Sequence, residues 1–110
     1  MKAIIDGIRY DTEKAVEIGS ADNIGTGASG WGDFNAWAAG LYKTPRSGRY
    51  FLAGEGGAMT TFSRPDGGNN GRCGGSKVIP MDEDQAFDWA QRNLGADAVE
   101  EHFGHLVEDA

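Results

Sequence analysis

The chain has 110 residues, a mass of 11.7 kDa, 39% hydrophobic residues and 18 glycines, which suits one domain with a modest core and many turns. Its net charge of -7 argues against direct nucleic-acid binding, and no stretch approaches the roughly 20 apolar residues that cross a bilayer. Three Trp, five Phe and three Tyr argue against a disordered chain, because they supply large apolar areas despite a mean hydropathy of -0.48.

In chain order, β-branched residues between Ala3 and Tyr10 flank the turn pair Asp6-Gly7 and predict a very short hairpin or a bulged strand. Ala15 to Ile18 reads as a second strand. The density of Gly, Ser, Asn and Asp from Gly19 to Gly32 predicts a loop that exposes Ile24 and Trp31. Phe34 to Gly40 fits one helical turn as well as the start of a strand. Leu41 to Thr44 and Arg49 to Ala53 flank Pro45-Arg46-Ser47-Gly48, where Pro sets φ and Gly permits a left-handed residue, so an antiparallel hairpin is predicted. On its second arm Tyr50 and Leu52 share one face. Arg49, Phe51 and Ala53 share the other, which is expected to be partly buried.

Residues 54 to 75 contain eight glycines, a stretch expected to be loop with a short strand at Met59 to Phe62. Within it Gly54-Glu55-Gly56-Gly57 reads as a tight turn or bulge with one Gly at positive φ and Glu55 outward. Lys77 to Ile79 reads as a last strand closed by Pro80. Asp82 and Gln85 form a capping box for a helix in which Ala86, Trp89, Ala90 and Leu94 recur until Gly95. Asp97 and Glu100 repeat the capping pattern for a second helix, with Val99, Phe103 and Leu106 on its apolar side. The expected fold is one α+β domain over residues 1–110, a small antiparallel sheet of about four to five strands followed by two acidic C-terminal helices.

No motif carries enzyme chemistry. Gly54-Glu55-Gly56-Gly57 lacks the Gly-Lys-Ser/Thr of a phosphate loop and precedes a β-prone stretch. His102 and His105, with Glu101 and Glu108 beside them, are too few for a metal site with a second shell. Cys73 lies between Gly71-Arg72 and Gly74-Gly75 with no orienting base, so it reads as a bystander thiol. No catalysis, cofactor or metal is expected. The lone cysteine, with no long apolar run in MKAIIDG, points to a cytosolic protein.

Charge is the informative feature. Residues 1–80 carry nine Lys/Arg and eight carboxylates, whereas residues 81–110 carry nine carboxylates and Arg92 alone. Solvated acidic helix faces usually serve only solubility and capping. A sharper reading is that Asp82, Glu83, Asp84, Asp88, Asp97, Glu100, Glu101 and Glu108 imitate nucleic-acid phosphates and occupy a Lys/Arg-lined groove. Arg46, Arg49 and Trp31 form a secondary candidate surface.

The series Lys2-x-Ile4-Ile5-x-Gly7-x-x-Tyr10-Asp11-Thr12, Leu41-Tyr42-Lys43-Thr44, Gly48-Arg49-Tyr50-Phe51-Leu52-x-Gly54-Glu55-Gly56-Gly57 and Ile79-Pro80-Met81-x-x-x-x-Ala86-x-x-Trp89 resembles a family of small proteins of phages, integrative elements and their hosts. The resemblance covers most of the chain and brings genomic context more than chemistry. In size and acidity the chain is also similar to anti-CRISPR proteins directed at type I systems. That similarity implies a monomer or weak dimer that binds a host type I surveillance complex (Cascade) stoichiometrically and keeps target DNA from docking. The alternative is a mobile-element accessory domain that binds a protein partner through exposed aromatic residues, without mimicry.

Overall fold

A computed structural model describes residues 1–24, 35–57, 59–65 and 72–110, with 64, 65, 72 and 73 described by backbone alone. The elements are β1 (Lys2–Ile5), β2 (Ile8–Asp11), β3 (Val16–Asp22), β4 (Trp37–Lys43), β5 (Tyr50–Gly56), β6 (Arg64–Pro65), β7 (Arg72–Cys73), β8 (Gly75–Met81), α1 (Glu83–Asn93) and α2 (Ala96–Phe103). A 3-10 turn over Gly104–Leu106 follows. The fold is α+β, built on a four-stranded antiparallel sheet in the order β3-β4-β5-β8. Separate two-stranded ladders join β1 to β2 and β6 to β7. Among the described residues no helix is long and apolar enough to cross a membrane.

The first ladder is a hairpin because Asp6 and Gly7 both adopt positive φ, at 52° and 77°, as a two-residue turn of this hand requires. The β4–β5 hairpin also forms as its sequence predicts. Gly48 takes φ 65°, and the Thr44 hydroxyl accepts from the Arg49 amide at 2.9 Å. At the other end β4 begins at Trp37, so the ambiguous Ala-Trp-Ala-Ala segment resolves as strand rather than helix.

Two sequence expectations change once the sheet is assembled. The face of β5 carrying Phe51 and Ala53 is buried, with Phe51 at 0% exposure, since the β1–β2 hairpin folds over it. Tyr10 meets the Phe51 ring edge-on at 5.4 Å and Tyr42 stacks on it at 5.3 Å. Arg49 and Glu55, at the two ends of that face, remain exposed. Strand β3 continues through Gly19 to Asp22, where a loop was expected, and a bulge between Glu17 and Gly19 re-aims the strand. The missing side chain of Gly19 leaves room for Leu94, whose methyls would lie 2.8 Å from a Cβ there. The remainder of the expected 19–32 loop, from residue 25, lies outside the described residues.

Two further corrections concern proline and the glycine-rich segment. Strand β8 runs through Pro80 to Met81 instead of stopping, because β8 is an edge strand and pairs only with β5. Met59 to Phe62 is not a strand. The Thr60 amide and hydroxyl both donate to the Gly57 carbonyl, at 3.1 and 2.9 Å, and a second turn follows through Ser63 N to Thr60 O. These turns swing Phe62 into the core at 2% exposure.

Gly54-Glu55-Gly56 is itself strand, paired with β4 on one side and β8 on the other, so the expected turn is absent. Neither Gly54 nor Gly56 has positive φ. Their role is close approach. A Cβ on Gly54 would lie 2.6 Å from the Ala38 carbonyl oxygen and 2.7 Å from the Phe62 ring. Glu55 projects outward, as its place between two tight glycines requires.

The helices cover the second sheet face. Ala86 and Ala90 of α1 and Val99 and Phe103 of α2 are buried with Ile18, Leu41, Leu52 and Phe62. Phe103 is sandwiched between Tyr50 at 5.4 Å and Phe87 at 5.6 Å.

One pH effect follows from the hairpin side. Partial burial, and then the Glu17 carboxylate in register opposite, raises the Tyr42 pKa above its ordinary value of about 10. The folded state therefore favours the neutral phenol. Stability from this group is complete below pH ~10 and is lost as pH rises through the folded-state pKa. Alkaline titration should show Tyr42→Phe losing less stability than the parent chain as pH rises above about 10.

Candidate partner-binding surface

The acidic segment has a local logic. Asp82 is an N-cap because its carboxylate accepts from the Gln85 amide at 2.8 Å while the Gln85 side chain accepts from the Asp82 amide at 2.9 Å. Glu83 and Asp84 then sit in the first turn of α1, where the helix dipole favours anions. The second expected cap does not form. Gly95 holds the N-cap position of α2 with no side-chain bond, so Asp97 lies inside the first turn and Glu100 beyond it. An offset of two residues, from Asp97 to Gly95, separates a capping box from two solvated carboxylates.

All nine carboxylates of residues 82–109 are exposed. Helical spacing divides those on the helices into groups. Asp84 and Asp88 lie one turn apart on α1, on the side away from buried Ala86 and Ala90. Asp97 and Glu101 repeat that relation on α2, away from buried Val99 and Phe103. Glu100 is turned toward α1 and lines a groove with Phe87, Leu94, Leu106 and Glu108.

Several of these groups have partners. Arg92 meets Asp88 at 3.3 Å, and His105 reaches back to Glu83 at 3.0 Å, tying the 3-10 turn to the start of α1. His102 lies 3.7 Å from Glu101. Asp84, Asp97, Glu100 and Glu108 make no ion pair among the described residues. The expected set of eight thus splits into one cap, three paired groups and four groups with no ion pair among the described residues. The two histidines turn to different carboxylates, and among the described residues no group of three or more His, Cys, Asp or Glu is placed to hold a metal.

The division has a measurable consequence for Asp82. Asp82→Ala is expected to cost about 1 kcal/mol of stability through loss of the cap while leaving partner affinity nearly unchanged. Chemical denaturation and a binding isotherm on the same variant check both halves.

The secondary surface is basic and lies at the opposite side of the sheet from the helices. Arg46 shares a cleft of about 440 Å³ with Arg9, Lys14, Asp11 and Thr44, and Arg49 is exposed nearby in sequence. Arg9 and Lys14 could not be anticipated, because only the fold-over of the hairpin brings them to the β4–β5 turn. Trp31 lies outside the described residues. Trp37 and Tyr42 are half-buried and pack against the two cores, and among the described residues no aromatic side chain is exposed.

Comparisons of the chain with protein-family models, with curated proteins and with solved structures found no match. The surface therefore has to be read from its own chemistry.

Proposed function

We propose that the chain is a stoichiometric binding protein whose acidic helix layer occupies a basic groove of a nucleic-acid-handling partner. The observation that carries this reading is the exposure of nine carboxylates in residues 82–109 against the single cation Arg92. Such a field attracts a Lys/Arg-lined surface and repels nucleic acid, so the chain competes with nucleic acid rather than binding it. Carboxylates one helical turn apart are spaced about 5.4 Å along each axis, sparser than the roughly 3.4 Å per charge of a single duplex strand. Affinity then depends on both helices acting together, as a decoy of a phosphate track rather than a copy of a duplex.

With the resemblance to small proteins of phages and integrative elements, the partner we assign is a host type I CRISPR surveillance complex, which holds nucleic acid through basic channels. The reading is an anti-CRISPR-like inhibitor acting in the host bacterial cytoplasm. The alternative, docking through exposed aromatic residues, draws no support from Trp37 or Tyr42, which are committed to packing. A pulldown against purified type I complexes tests the assignment. Capture at low salt that is lost toward 1 M salt, where screening shortens to about 3 Å, is the expected result. Absence of capture from every complex at low salt contradicts it.

A further inference from the structure

The charge reading leaves the groove between the helices without a role. Its walls come from three segments: Phe87, Gln91 and Leu94 at i, i+4 and i+7 on α1 and its cap, Val99 and Glu100 on α2, and Leu106 to Glu108 after the 3-10 turn. It encloses about 660 Å³, within the range of about 300–1,000 Å³ in which proteins hold side chains or small ligands. Its floor is apolar. Phe87, Leu94 and Leu106 are half-buried and Val107 is 45% exposed. The charged residues lining it are both carboxylates, Glu100 and Glu108, and neither makes an ion pair among the described residues.

We propose that this groove receives a cationic amphipathic helix of a protein partner. The inference rests on the reading of the helix layer as a partner-binding surface, and it names the chemistry of the segment bound. The apolar floor calls for aliphatic side chains repeating on one face, and the two rim carboxylates call for Lys or Arg beside them. No strand residue lines the groove, so an extended peptide finds no sheet edge there to pair with. A helix satisfies its own backbone and needs none. A second copy of this chain fits poorly, because its net charge of -7 would be brought against the same acidic rim.

The test uses two synthetic helical peptides that share a Leu stripe at i, i+3, i+4 and i+7, one flanked by Lys and the other by Gln. Each is titrated into the full chain and followed by amide chemical shifts. The Lys-flanked peptide is expected to shift the amides of Phe87, Leu94, Val99 and Val107, and to bind about tenfold more tightly than the Gln-flanked one. Glu100→Gln with Glu108→Gln should remove most of that preference, and Val107→Gln should weaken both peptides. These three residues are exposed, so the variants keep the fold. Equal affinity for the two peptides, shifts confined to other surfaces, or indifference to the three substitutions would overturn the proposal. The outcomes separate it from the reading beneath it. Binding of the Lys-flanked peptide without capture of any surveillance complex upholds the groove and sinks the type I assignment. Undiminished capture by the triple variant sinks the groove alone.

Discussion

Gly54→Ala is expected to destabilise the chain by about 3 kcal/mol, the upper end of the usual cost of overpacking a core. The cause is space rather than backbone conformation, since Gly54 has no positive φ. Its new Cβ would stand 2.6 Å from the Ala38 carbonyl oxygen and 2.7 Å from both the Ala39 Cβ and the Phe62 ring. Ala38 and Ala39 belong to β4, held to β5 by a continuous ladder, so neither can retreat without breaking that pairing. Phe62 is fully enclosed by the helix-side core. Against a typical total of about 5–15 kcal/mol, a loss of this size removes a large share of the stability. Urea denaturation followed by circular dichroism reads it as a lower midpoint. Glu55→Ala, one residue along and exposed, should change stability by less than about 0.5 kcal/mol. Equal midpoints for Gly54→Ala and the parent chain would mean that β4, β5 and Phe62 do not meet as described.

The second large effect concerns binding. Reversal of Asp84, Asp97, Glu100 and Glu108 to Lys should weaken partner affinity by roughly a hundredfold to a thousandfold. An exposed ion pair contributes about 0.2–1 kcal/mol, and reversal replaces attraction with repulsion of similar size. Four such changes total about 1.6–8 kcal/mol, and a middle value of about 3–4 kcal/mol is two to three decades in the dissociation constant. These four are chosen because none is engaged in an ion pair among the described residues. A variant including Asp82 would confuse two effects, since that carboxylate caps α1. Reversal of Arg46 and Arg49 to Glu should leave affinity unweakened. Calorimetric titration of both variants against the partner separates the acidic surface from the basic one.

The local signals in the sequence were read well where they depend on neighbours in the chain. Asp6-Gly7, Pro45 to Gly48 and the Asp82–Gln85 box form the turns and cap that their chemistry dictates. What could not be read was burial set by distant segments. Nothing in Phe51 and Ala53 announces that Tyr10 and its hairpin will cover them, and so a two-sided strand passed for a one-sided one. The same holds for Gly54, whose need for glycine comes from Phe62 and β4 rather than from its own φ. The capping pattern of Asp97 and Glu100 failed because Gly95 caps α2 two residues earlier, in a helix whose Val99 and Phe103 are buried in the core. For the candidate surface, composition located the acidic segment, but only the fold distinguishes Asp84, Asp97, Glu100 and Glu108 from carboxylates engaged within the chain.

The central claim, that the acidic helix layer displaces nucleic acid from a basic groove, is tested most directly by equilibrium competition. A labelled target duplex bound to a purified type I surveillance complex is titrated with the chain at low salt. Duplex release that is complete near one chain per complex, and that the four-residue reversal abolishes, is the predicted result. Simultaneous binding of duplex and chain with neither affinity altered would contradict the account.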